Sequence, residues 1–375
     1  MQEGALLALV AKGILVAAVP LIYVWRSHAT DKLRKLAWVT AFLTFDLIVI
    51  GAFTRLTDSG LGCPDWPGCY GRSNPLSAGE SIRAAETALP SGPVTMGKAW
   101  VEMVHRYFAL AVGVLIIVLV ALAWRRWAAE RRGPVYLTLL TLGWVCLQGA
   151  FGAWTVTQKL QPVFVTAHLV GGMTLLSLLI ILALRESRAP GFLHAGALRS
   201  ISALALLVLV VQIALGGWVS SNYAVMACPD FPLCHDSWMP ADMDFRNGFT
   251  LWRELGMTGG EGARPIAFQA LVAIHWAHRF FAVAATLVLA LLAWRARAIP
   301  ETRKVGTWLA ALLALQLVTG MSNVVFQWPL LLAVLHNAGS AAMLGLLVAL
   351  NYRAWQGRER RARVTGERTR ATAAG

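Results

Sequence analysis

Two heptapeptides hold the side chains best suited to chemistry. One is EMVHRYF, Glu102 to Phe108; the other is HWAHRFF, His275 to Phe281. They share His-Arg-aromatic-Phe, and Glu102 of the first is replaced by His275 in the second. On a helix Glu102 lies one turn before His105, on the same face. Two more histidines, His168 and His336, also stand inside apolar runs. A histidine in such a run is costly and usually functional. His105, His168, His278 and His336 each fall a turn or two inside one end of a run, which at 1.5 Å per residue gives them a common depth. Four imidazoles in this arrangement point to ligation.

The ligand is a matter of number and surroundings. Zinc would want four ligands, commonly with cysteine or carboxylate. Here the histidines come in two pairs, on the second and fourth helices of each half, amid apolar and aromatic surface. Small residues stand close by: Gly149, Gly152, Gly171, Gly172, Gly216, Gly217 and Gly339. Two imidazoles on facing helices with room for a flat apolar group suit axial haem ligation. Arg106 and Arg279 could meet propionates at the water boundary or simply snorkel to it. Glu102 could serve as acid or base beside a bound ligand, or hydrogen-bond His105.

Two cysteine pairs, Cys63/Cys69 and Cys228/Cys234, sit in CPDWPGC and CPDFPLC. Prolines force a turn in each. A local disulfide in an oxidising compartment is the plain reading, and a redox role over the histidines is the sharper one. Cys146, inside an apolar run, reads as a small core residue.

The elements that must position these groups are membrane helices. Of the 375 residues, 57% are hydrophobic and 14% charged. Soluble domains carry about 25% charged residues. The apolar stretches are continuous rather than alternating, so helices and not a barrel are expected. Nine spans are predicted: 4–25, 36–55, 99–124, 135–156, 163–184, 200–220, 267–294, 306–326 and 330–352. The first lacks a basic start and a convincing cleavage site, so it reads as a retained helix. The clusters at 26–35, 125–134, 185–199 and 295–304, with the tail from Arg353, hold 22 of the 33 Lys and Arg residues. With nine spans these fall on one side, which makes that side and the C-terminus cytoplasmic and the N-terminus external. The net charge of +14 thus reflects loops beside anionic lipid rather than nucleic-acid binding. The tail 358–375 reads as solvated and partly disordered.

The halves repeat. Cys63 and Cys228 are offset by 165 residues, Arg106 and Arg279 by 173, Gln148 and Gln316 by 168, and His168 and His336 by 168. The expected architecture is all-α: an extra N-terminal helix and loop over 1–35, one four-helix bundle over 36–184, a second over 200–352, and a basic tail over 353–375. Asp46 and Lys12 are the other costly charges in spans, and they are expected to pair.

The stretches GAFTRLTDSGLGCPDWPGCYG (51–71), EMVHR (102–106), AHLVGG (167–172), HWAHRFF (275–281) and LHNAG (335–339) resemble the haem A synthase family of integral membrane proteins, with a first loop similar to the proteobacterial branch. The resemblance spans nearly all of 36–352. It implies oxidation of the C8 methyl of haem O to a formyl group, in two two-electron steps through an alcohol. It also implies a haem b held by His278 and His336, and a substrate site in which His105 and His168 meet the haem O iron and Glu102 faces the reacting edge. Cys63 and Cys69 would form the family disulfide. An inner-membrane location, a haem O synthase as donor and a quinone or other electron acceptor fit this reading. A bis-histidine electron carrier and a membrane thiol–disulfide oxidoreductase are the alternatives.

Overall fold

The computed structural model describes residues 2–188, 190–192, 194–253 and 266–373. Its elements in chain order are α1 (Gln2–Arg26), α2 (Lys32–Leu56), α3 (Gly79–Ala88), α4 (Met96–Glu130), α5 (Val135–Thr157), α6 (Pro162–Glu186), α7 (Arg199–Ser221), α8 (Phe245–Gly248), α9 (Phe268–Ala298), α10 (Arg303–Val325) and α11 (Leu330–Ala373). Among the described residues nine helices are long and apolar enough to cross a membrane. They coincide with the nine predicted spans, extended by a few residues where local signals allow. Asp31 starts α2 by accepting the Arg34 amide at 3.0 Å. Thr95 does the same for α4 through Lys98. Pro162 stands in the first turn of α6, where its missing N–H costs nothing.

The helices close into two rings. In the first, α2 packs on α4 and α6, and α5 packs on the same two. In the second, α9 and α11 are flanked by α7 and α10. The seam between rings is built from α2, α6, α7 and α11. A lipid tail is as apolar as leucine, so close packing rather than water exclusion must hold such a seam. Fully buried side chains of both rings, among them Leu36, Leu115, Leu119, Leu179, Leu182 and Leu292, lie toward one end of the helices, which leaves the opposite end to the histidines. At the leucine end Arg126 bridges Asp31 (2.9 Å) and Glu186 (2.7 Å), tying α2, α4 and α6 together.

Three expectations are corrected. Lys12 does not pair with Asp46: its Nζ donates to Ser73 Oγ at 2.7 Å, because α1 lies chiefly along α4 rather than α2. Cys146 is exposed on α5 instead of filling the core. The last helix continues through the basic tail to Ala373, a stretch rich in Arg, Glu and Ala, which favour helix.

Candidate functional site

Two matching loops cover the histidine end. Prolines and an aspartate shape each one. The Asp65 carboxylate accepts the amides of Tyr70 (2.5 Å) and Gly71 (2.7 Å). Asp230 accepts those of His235 (2.8 Å) and Asp236 (2.9 Å). A disulfide closes each loop, Cys63–Cys69 with Cα atoms 4.9 Å apart and Cys228–Cys234 with 4.8 Å. All four sulfurs belong to buried residues.

An arginine from the helix below reaches into each loop. Arg106 Nη1 donates to the carbonyls of Asp65, Pro67 and Gly68. Arg279 donates to those of Asp230, Leu233 and Cys228 at 2.7–2.8 Å. Both guanidiniums therefore act as clamps on the loops.

The residue one turn before each arginine completes the clamp, and here the halves differ. Glu102 Oε1 accepts from Arg106 Nη2, and Oε2 accepts the Cys63 amide at 2.8 Å. Glu102 is 4% exposed. In the second half Arg279 Nε donates to His275 Nε2 at 3.1 Å. The hydrogen bond from Glu102 to His105 that its spacing allows is not made; loop and arginine take both carboxylate oxygens.

Below the loops the four histidines come together in pairs. The His105 and His168 rings have centroids 6.5 Å apart and planes at 79°. His278 and His336 are likewise electrostatic neighbours. Each imidazole rests against a glycine of the preceding membrane-spanning helix. A Cβ added at Gly51 would stand 3.0 Å from His105 Cε1. The corresponding distances are 3.4 Å for Gly152 and His168, 3.1 Å for Gly216 and His278, and 3.2 Å for Gly320 and His336. The sequence reading singled out Gly152 and Gly216 but missed Gly51 and Gly320. The repeat offsets, 165 back from Gly216 and 168 on from Gly152, point to both. It also passed over Gln212 and Thr319, which touch the second pair of imidazoles and have no polar counterpart in the first half. Among the described residues no group of three or more His, Cys, Asp or Glu could hold a metal ion.

Residues 34–348 match the family model COX15-CtaA, described as a cytochrome oxidase assembly protein. The heme A synthase of Shewanella oneidensis is 38% identical over 327 residues, covering 86% of this chain and 97% of that protein. The heme A synthases of Sphingopyxis alaskensis and Caulobacter vibrioides are each 29% identical, over 346 and 350 residues. Each alignment covers 86% of this chain, with 91% and 97% of those proteins.

Proposed function

The chain belongs to the COX15-CtaA family of cytochrome oxidase assembly proteins, and from that premise we propose that it is an oxidoreductase converting haem O to haem A within the membrane. The observation that carries the reading is an asymmetry. Both halves hold a histidine pair beneath a clamped disulfide loop, but only the first places a carboxylate, Glu102, in the clamp.

The residues fit a haem in each half. Metal–imidazole bonds of about 2.0–2.1 Å on opposite sides of one ion put the ring centroids roughly 6.3 Å apart. His105 and His168 stand at 6.5 Å. Nδ1 of each ring is buried without a hydrogen-bond partner among the described residues, and the glycine contacts fix where each ring edge sits. His105 and His168 would hold the iron of the substrate. Glu102, held by the Arg106 guanidinium and the Cys63 amide, would stand at the reacting edge as the group that accepts a proton. His278 and His336 would hold a haem b, which when bound supplies a one-electron acceptor close to the substrate. Arg106 and Arg279 keep the loops over the sites and set positive charge at the rim where propionates would lie.

The reading calls for an inner-membrane location, with the loops outside the cytoplasm, the N-terminus on their side and the C-terminus cytoplasmic. It calls for a haem O synthase to deliver substrate and a quinone or another acceptor to take the electrons. The test is pigment extraction from cells that make haem O, with and without this protein. Formyl haem that depends on the protein supports the reading. A bis-histidine b spectrum with no formyl product would instead make it an electron carrier.

A further inference from the structure

The histidine pairs differ in what lies behind them. His336 Nδ1 is 2.9 Å from Thr319 Oγ1, whose own proton goes to the Leu315 carbonyl at 2.7 Å. The Thr319 oxygen is therefore left to accept, and Nδ1 must donate. That tautomer leaves Nε2 bare for iron. On α7 the Gln212 amide lies 3.2 Å from His278 Nδ1 and 3.4 Å from Nε2, while its Oε1 is buried without a partner. Once Nε2 of His278 is given to iron, Nδ1 carries the proton. Turning the amide by half a turn then offers Oε1 to that N–H, in exchange for the 3.3 Å bond that Nε2 makes to the His278 carbonyl. Behind His336, Ser340 donates to Gln316 Oε1 at 2.9 Å, and Gln316 Nε2 donates to the His336 carbonyl at 3.0 Å.

None of this is repeated in the first half. The positions equivalent to Gln212, Thr319 and Ser340 are Leu47, Phe151 and Gly172. Nδ1 of His105 and of His168, and Nε2 of Gln148, are buried and unpartnered among the described residues.

We infer that Gln212 and Thr319 are positioning residues that lock the second pair of imidazoles for a resident haem, and that Leu47 and Phe151 leave the first pair unlocked so that its haem can be exchanged. The inference rests on the proposed haem binding and adds to it which side chains hold the resident haem in place. A ligating imidazole whose other N–H is held by an acceptor is a better donor with a fixed ring plane, and losing such a partner typically costs 10–100-fold in metal affinity. A site that must release product after each turnover gains from lacking that hold.

The test uses the full-length protein purified with its haem. Transfer of haem b to excess apo-globin gives a rate, a redox titration gives a midpoint potential, and the ferric low-spin EPR signal reports ring orientation. Thr319→Val should retain the bis-histidine spectrum, speed transfer by about ten- to a hundredfold, raise the potential and shift the EPR signal. Thr319→Ser should restore all three. Gln212→Leu should act on His278 in the same direction and serves where Thr319→Val does not accumulate. Leu47→Gln should slow release of haem from the first half. Wild-type rates and potentials in both Thr319→Val and Gln212→Leu overturn the inference alone. Wild-type protein with no haem signal that His336→Ala abolishes overturns the haem-binding reading itself.

Discussion

Glu102 Oε2 accepts the backbone N–H of Cys63 at 2.8 Å, so the acid of the first half hangs from the loop that covers it. Its other oxygen holds Arg106, whose guanidinium holds the same loop. Acid, clamp and cover form one unit, and disturbing any member should be felt by the others.

Glu102→Gln keeps an acceptor for the Cys63 amide and removes the charge. It should fold and retain haem b, while formyl haem production falls a hundredfold or more, the scale of a lost acid–base group. Glu102→Ala should lose the product too, and also melt lower by about 3–5 kcal/mol, because it leaves both the buried Arg106 guanidinium and the Cys63 amide with no acceptor at this position. Pigment extraction and thermal melting in detergent separate the two effects. Full product from Glu102→Gln would reduce the carboxylate to a member of the clamp.

Each arginine clamp should protect its own loop. A lysine has one nitrogen, so it cannot hold the loop carbonyls and the residue one turn before it together, as each guanidinium does through separate nitrogens. Arg106→Lys should therefore expose Cys63 and Cys69 to reductant and alkylation, and Arg279→Lys should expose Cys228 and Cys234. Mass spectrometry of labelled peptides reads this directly. Equal labelling of both loops in either variant would argue against loop-specific clamps.

The glycine contacts predict an order. Alanine at Gly51, Gly216 and Gly320 would push a Cβ to 3.0–3.2 Å from an imidazole carbon, against 3.4 Å at Gly152. Gly216→Ala and Gly320→Ala should lower haem b content. Gly51→Ala should spare haem b and depress formyl product, and Gly152→Ala should be the mildest of the four. Absorbance at the haem b band and pigment analysis check the ranking.

Much of this was legible in the chain itself. Continuous apolar runs, histidines at common depth and the paired CPD motifs led to the helices, the two histidine pairs and both loops. Three things were not. The clamp contacts of Arg106 and Arg279 are one, because sequence does not show that a loop 38–51 residues away folds back within their reach. Lys12 and Asp46 were matched by depth alone, and depth says nothing about which neighbour a helix leans on. Thr319 and Gln212 look like ordinary polar residues on apolar helices until their contacts are seen.

Lys12 and Asp46 therefore give opposite expectations. Lys12→Met removes a charged hydrogen bond to Ser73 and should cost about 1.5–3 kcal/mol. Asp46 takes part in no ion pair among the described residues, so Asp46→Asn should change the melt by less than about 0.5 kcal/mol. Equal losses from the two variants would restore the pairing.

The far end of the bundle should carry an acid-sensitive tie. Burial works against charge on Asp31, but the Arg34 amide and the Arg126 guanidinium outweigh it and hold the carboxyl below its ordinary value. A depressed pKa stabilises the fold fully above the ordinary value and is lost as pH falls through the folded one. Asp31→Asn should thus melt below wild type at neutral pH, and the gap should close as the pH drops below about 3.8. A gap that persists in acid would rule out the Asp31 charge as its source.

The cysteines of each loop are six residues apart, and each loop is gripped by the helix that follows it. A chain threading into the bilayer from its N-terminus can thus oxidise and latch its first lid before the second half has been made. Mispairing across the halves would have to bridge 159 residues or more, against a partner already within reach, so oxidative maturation of this enzyme should need little help from an isomerase.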